Sequence, residues 1–71
     1  MEIYVNGEPR QVEDSLHISE LVDMLDLSNR RIAVEVNLEI VPRSSYTTYQ
    51  LCAGDKIEIV HAIGGGSIDG G

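Results

Sequence analysis

The sequence predicts a small α+β domain in which a mixed sheet of four to five strands packs on one helix. Three observations carry this expectation. Asn6-Gly7 near the start is a strong hairpin signal, because both residues tolerate positive φ. One apolar stripe at helical spacing comes next. Two later alternating runs must then return to the same sheet.

Each element has its own local signal. Glu2-Ile3-Tyr4-Val5-Asn6 alternates, placing Ile3 and Val5 on one face. The return strand of the hairpin is expected over Arg10-Gln11-Val12, with Pro9 at its edge. Ile18, Leu21, Val22 and Leu25 fall at i, i+3, i+4 and i+7, with Ser19, Glu20, Asp23 and Asp26 opposite. His17 stands at the N-cap position with Glu20 three residues on, an echo of the capping box, and Leu16 can staple onto Leu21. Poor helix formers from Asp26 to Asn29 end the helix near Asp26, after about nine residues. Ile32, Val34 and Val36 share a face of the next strand. Asn37-Leu38-Glu39 turns the chain into a short run, Ile40-Val41, which Pro42 stops. Residues 43–50 are polar and read as an irregular or 3₁₀ connection, and Ala53-Gly54-Asp55 as a turn. Lys56 to His61 is the last strand, with Ile57 and Ile59 facing inwards. If it lies parallel beside the first strand, the arrangement is a β-grasp. Periodicity supports the elements without fixing that order.

At 71 residues the chain has room for one domain, here residues 1–63, with a glycine-rich tail at 64–71. With 42% hydrophobic residues the composition is that of a folded protein. A domain this small can seldom fill its own core and also line a cleft, which favours a binding or carrier module over an enzyme. The net charge of −7 opposes contact with nucleic acid or anionic membranes. It either keeps the domain soluble or steers it to a basic protein surface. A single cysteine, Cys52, permits no internal disulfide and favours a cytoplasmic setting. No signal peptide is visible, since Glu2 and Asn6 interrupt the apolar start, and no apolar run approaches membrane-spanning length.

Internal chemistry finds few candidates. His17, His61 and Cys52 have no metal-ligand spacing. Cys52 reads as a small buried or half-buried residue, with no base placed beside it. Arg30-Arg31 reads as solvated, and no carboxylate pair is singled out for acid–base work. The tail differs, with five glycines between Gly64 and Gly71: Gly64, Gly65, Gly66, Gly70 and Gly71. Glycine can thread a channel too narrow for a Cβ, and its terminal carboxylate is unhindered. The same composition also suits a flexible linker.

Three stretches resemble the ThiS-type sulfur carriers of thiamine biosynthesis, which are ubiquitin-like β-grasp proteins. They are Ile3–Pro9, the run Ile32–Arg43 and Gly54–Gly66, the last holding the final strand and its Gly-Gly exit. The resemblance covers residues 1–66 without gaps, and the stretch from Asn37 to Arg43 is its most specific part. It implies that a ThiF-type adenylating partner uses ATP to convert the C-terminal glycine carboxylate to an acyl-adenylate. Persulfide sulfur from a cysteine desulfurase system then displaces AMP, and the resulting thiocarboxylate serves a ThiG-type thiazole synthase. The chain is then a co-substrate rather than an enzyme, with no cofactor of its own.

The chain departs from the family at its end, where Ser67-Ile68-Asp69-Gly70-Gly71 extend beyond Gly66. From His61, an extended chain reaches about 17 Å to Gly66 and roughly 33 Å to Gly71. The active terminus is therefore Gly71, or Gly66 after proteolysis, or else the last five residues are not native. The chain as it stands favours Gly71. For partner docking, the outward sheet face should expose Tyr4 and Val60 beside Glu2, Glu35 and Glu58, a surface that could also be ordinarily solvated. Rivals to a thiamine carrier are a carrier for another pathway such as molybdopterin synthesis, a ubiquitin-like modifier, or an interaction domain with a linker tail.

Overall fold

The computed structural model describes residues 1–61. The segment expected to hold Gly64, Gly65, Gly66, Gly70 and Gly71 lies outside the described residues, as does the boundary at residue 63.

The first alternating run forms β1 (Glu2–Val5), which turns through Asn6 and Gly7 at φ 52° and 86° into β2 (Glu8–Gln11). Both central residues in the left-handed region give a turn whose twist matches that of the flanking strands. Pro9 lies inside β2, opposite Tyr4, rather than ahead of the strand. β2 is an edge strand, so a residue without an N–H is tolerated there. Val12 falls just beyond the strand and still buries into the core.

The helix α1 (Ile18–Met24) has seven residues, two fewer than expected. His17 caps it, its backbone N–H donating to Glu20 Oε1 at 2.8 Å. Its orphan amides find further partners in the segment after Pro42, because Ile18 and Ser19 N–H donate to the Tyr49 and Tyr46 carbonyls at 3.1 and 2.9 Å. At the other end Asp26 takes φ 60°, with Asp26 N–H bonding Asp23 O and Leu27 N–H bonding Val22 O. These are the paired bonds of a Schellman stop, made here with aspartate where glycine is usual. Leu16 and Leu21 join one core cluster, as the staple requires.

After the helix come β3 (Ile32–Val36), β4 (Glu39–Val41), a short 3₁₀ turn η1 (Arg43–Ser45) and β5 (Lys56–His61). The sheet order is β2-β1-β5-β3-β4, with β1 and β5 parallel and the other pairs antiparallel. The last strand therefore lies beside the first and parallel to it, which makes the domain a β-grasp. Ile3, Val34, Val36, Ile57 and Ile59 from the sheet bury with Ile18, Leu21 and Val22 from the helix, and Leu51 and Tyr46 close the core. No helix among the described residues is long and apolar enough to cross a membrane.

Cys52 differs from its expectation, because it is exposed. Leu51 takes the core position beside it, and Cys52 points its backbone N–H at Asp55 Oδ2, 2.8 Å away. That bond anchors the turn into β5, so the position is set by its amide rather than by its thiol.

Candidate functional site

β5 carries the chain out of the sheet towards the glycine-rich segment, so the surroundings of this strand form the candidate site. Because side chains alternate along a strand, burying Ile57 and Ile59 turns Lys56, Glu58 and Val60 outwards. The same alternation turns Ala33 and Glu35 of β3 outwards, together with Glu2 and Tyr4 of β1. The register sets Glu35 directly opposite Glu58 and Ala33 opposite Val60.

The four residues expected to dock a partner therefore share one face. Val60 is exposed at 56%, and Glu58 is exposed as well. Tyr4 and Glu35 are half-buried rather than open, lying among flanking strands on the sheet surface. Tyr4 leans its hydroxyl towards Glu2 Oε1 at 3.4 Å. Composition alone did not reveal Ile40, 72% exposed and paired with Glu35 across the β3–β4 ladder. Its signal was the apolar doublet Ile40-Val41, of which a strand can turn only one member to the core face. The turn itself, Asn37-Leu38, holds Leu38 at φ 72° and 84% exposed.

Glu35 and Glu58 are like charges held across adjacent strands, an arrangement that costs stability. Neither pairs with a cation among the described residues. The outward face is thus an acidic pair bordered by the apolar side chains of Ala33, Ile40 and Val60, suited to a partner surface that is basic and partly apolar.

Two asparagine turns bracket β5. At its entry, Asn37 Oδ1 accepts from Lys56 N–H at 3.0 Å and Asn37 Nδ2 donates to Asp55 Oδ1 at 3.0 Å. At its exit, Asn6 Oδ1 accepts from Ile59 N–H at 2.8 Å and Nδ2 donates to the Ile59 carbonyl at 3.3 Å. Beside that exit runs a groove lined by Asn6, Arg10, Leu25, Leu27, Ile59 and His61. His17 lies on the helix cap, 3.2 Å from Glu20 through its ring Nδ1. Its backbone and side-chain hydrogen bonds hold the Glu20 carboxyl below the usual glutamate range.

Comparison with known proteins places this geometry. The ThiS family model matches residues 3–66, which takes in all but the first two of the described residues and reaches Gly64-Gly65-Gly66 in the sequence. The chain is 41% identical over 65 residues to the sulfur carrier protein ThiS of Bacillus subtilis, covering 90% of this chain and 98% of that protein. It is 48% identical over 67 residues to a thiazole synthase of Paramagnetospirillum magneticum, covering 94% of this chain. The chain spans only about a fifth of that relative's length, 21%, and 20% of a second thiazole synthase from Magnetococcus marinus. The crystal structure of the thiamine biosynthesis protein ThiS from Geobacter metallireducens superposes with a TM-score of 0.82 at 32% identity, covering 93% of this chain and all of that one. With the fold and the sequence in agreement, this chain belongs to the ThiS family.

Proposed function

We propose that the chain is a sulfur carrier for the thiazole ring of thiamine, acting through a C-terminal glycine. The observation that carries the reading is the family match to residue 66, which runs unbroken through the β-grasp body and its glycine exit. The likeness to thiazole synthases supports a thiazole synthase as the enzyme that receives the sulfur.

The chemistry is set by the electrophilicity of a carboxylate, which is poor until its oxygen becomes a good leaving group. A ThiF-type enzyme lets the glycine carboxylate attack the α-phosphorus of ATP, releasing pyrophosphate and forming an acyl-adenylate. Persulfide sulfur supplied by a cysteine desulfurase then attacks the acyl carbon and releases AMP. A thiol reductant cleaves the remaining S–S bond to leave the thiocarboxylate. The carrier supplies the reacting terminus and a docking face, and its partners supply ATP and sulfur. On this reading Tyr4, Glu35, Glu58 and Val60, with Ile40, meet a basic and partly apolar surface of the adenylating enzyme. Either Gly71 or a processed Gly66 carries the reaction.

Intact-mass spectrometry of untagged protein from its native cells tests the proposal. A species heavier by the difference between sulfur and oxygen is expected, and its total mass identifies Gly66 or Gly71 as the terminus. Persistence of the plain carboxylate alone, with activating enzyme, ATP and a sulfur source supplied, overturns it.

A further inference from the structure

The domain makes the same turn twice. Asn6-Gly7 joins β1 to β2, Asn37-Leu38 joins β3 to β4, and both asparagines hold φ 52°. Each also accepts a backbone N–H of β5 on its Oδ1, Ile59 for Asn6 at 2.8 Å and Lys56 for Asn37 at 3.0 Å. The second turn residue stands at φ 86° in Gly7 and 72° in Leu38. The two turns thus differ at one place, where the first has glycine and the second leucine.

That leucine is costly where it stands. A positive φ crowds Cβ against the following carbonyl, which glycine escapes and a branched aliphatic side chain does not. The other non-glycine residues at positive φ among the described residues are Asn6, Ser15, Asp26 and Asn37, all small and polar. Leu38 has no polar group with which to offset the strain by a local hydrogen bond. At 84% exposure it also gains little from burial when the domain folds. Strain with no compensation inside the domain points to a contact outside it.

The surroundings indicate the chemistry of that contact. Ile40, two positions on and 72% exposed, stands opposite Glu35, which in turn faces Glu58. Glu39 follows Leu38 directly, and Asp55 and Lys56 are tied to Asn37. Four carboxylates therefore accompany one ammonium, and none of the four pairs with a cation among the described residues. An exposed leucine in an acidic setting is complementary to an apolar pocket with basic walls. The Asn37 bonds hold the turn in place, so little backbone freedom is lost when the side chain is captured. We propose that Leu38 is a docking anchor, which fills an apolar pocket bordered by basic side chains on the adenylating enzyme. The inference rests on the sulfur-carrier reading and extends its docking face to the β3–β4 turn.

Titration calorimetry of the full-length carrier with the adenylating enzyme, beside urea denaturation of the free carrier, tests this. Leu38→Gly should raise Kd by at least about tenfold, the loss expected for one buried leucine side chain. It should also raise the urea midpoint, because glycine accepts the φ of 72° without strain. In ATP–pyrophosphate exchange the loss should appear in KM, with kcat unchanged. Leu38→Met keeps an apolar side chain of similar volume, so its Kd should stay within about threefold of wild type. An unchanged Kd in Leu38→Gly overturns the inference. A fall in its urea midpoint does so too, since Leu38 would then serve the fold. Leu38→Met binding as weakly as Leu38→Gly overturns it by placing the effect in the backbone. If the wild type sediments as a dimer that Leu38→Gly dissociates, the leucine meets a second copy and the inference falls. Exchange absent with the wild-type carrier sinks the sulfur-carrier reading and this inference with it. Exchange present with wild type, and KM unchanged in Leu38→Gly, sinks the inference alone.

Discussion

The two faces of β5 are made from the same six residues and serve opposite ends. Inwards, Ile57 and Ile59 are buried against the helix and neighbouring strands. Outwards, Glu58 and Val60 stand exposed, and Glu58 faces Glu35 across the ladder. One face gains free energy by leaving water, while the other gives some up by holding like charges together. The contrast separates what folds the domain from the face proposed to meet a partner.

Two substitutions sharpen that contrast and a third gives it an outside reference, from the largest expected effect to the smallest. Ile57→Ala empties a fully buried site and should destabilise the domain by about 2–5 kcal/mol. Urea denaturation would show it as a fall in midpoint with an unchanged slope. A loss under about 1 kcal/mol would mean the inner face does not hold the fold as its burial implies. Glu58→Lys turns a repulsive cross-strand pair into an attractive one and should raise stability by about 0.2–1 kcal/mol. It should also weaken binding to the adenylating enzyme, measured by titration calorimetry at low salt. Lower stability together with unchanged affinity would break the division between the faces.

The smallest effect lies on neither face. Glu20 is lowered by its bonds to His17, so the stabilisation it gives is present above the ordinary glutamate pKa of about 4.3. It is lost as pH falls through the still lower value in the folded state. Glu20→Gln should flatten the acid limb of stability slightly and leave neutral pH nearly unchanged. Parallel melting curves across the acid range check this, and an unaltered acid limb would remove Glu20 from the account of the cap.

How much of this could be read from the chain depends on the range of the contact involved. Period-two alternation marked Ile3, Val34, Val36, Ile57 and Ile59 as core, and period-3.6 spacing marked Ile18, Leu21 and Val22, because each pattern is local. The helix cap at His17 and Glu20 was legible for the same reason. Pro9 was expected before its strand because a proline interrupts a ladder, and only the edge position of β2 makes it harmless. Cys52 looked buried or half-buried beside Leu51, yet it is exposed, with its amide held by Asp55 in the turn. Asn6 was readable as a turn residue, but its grip on Ile59 spans 53 positions and depends on β1 lying beside β5. Periodicity does not contain that adjacency. The outward placing of Tyr4, Glu35, Glu58 and Val60, the proposed docking residues, was legible by parity along single strands. The opposition of Glu35 to Glu58, and Ile40 beside Glu35, required the register between strands.

The flanks of the sheet carry a further consequence. Its outer strands are short: β2 has four residues with Pro9 among them, and β4 has three. An unpaired strand edge is a template on which other chains can stack into fibrils, and its hazard grows with length and flatness. Here one rim lacks an amide hydrogen at Pro9 and the other ends almost as it begins, so neither offers a long ladder to extend. Together with a net charge of −7 that repels like molecules, this blunting lets a strand-rich domain accumulate in crowded surroundings with little tendency to polymerise.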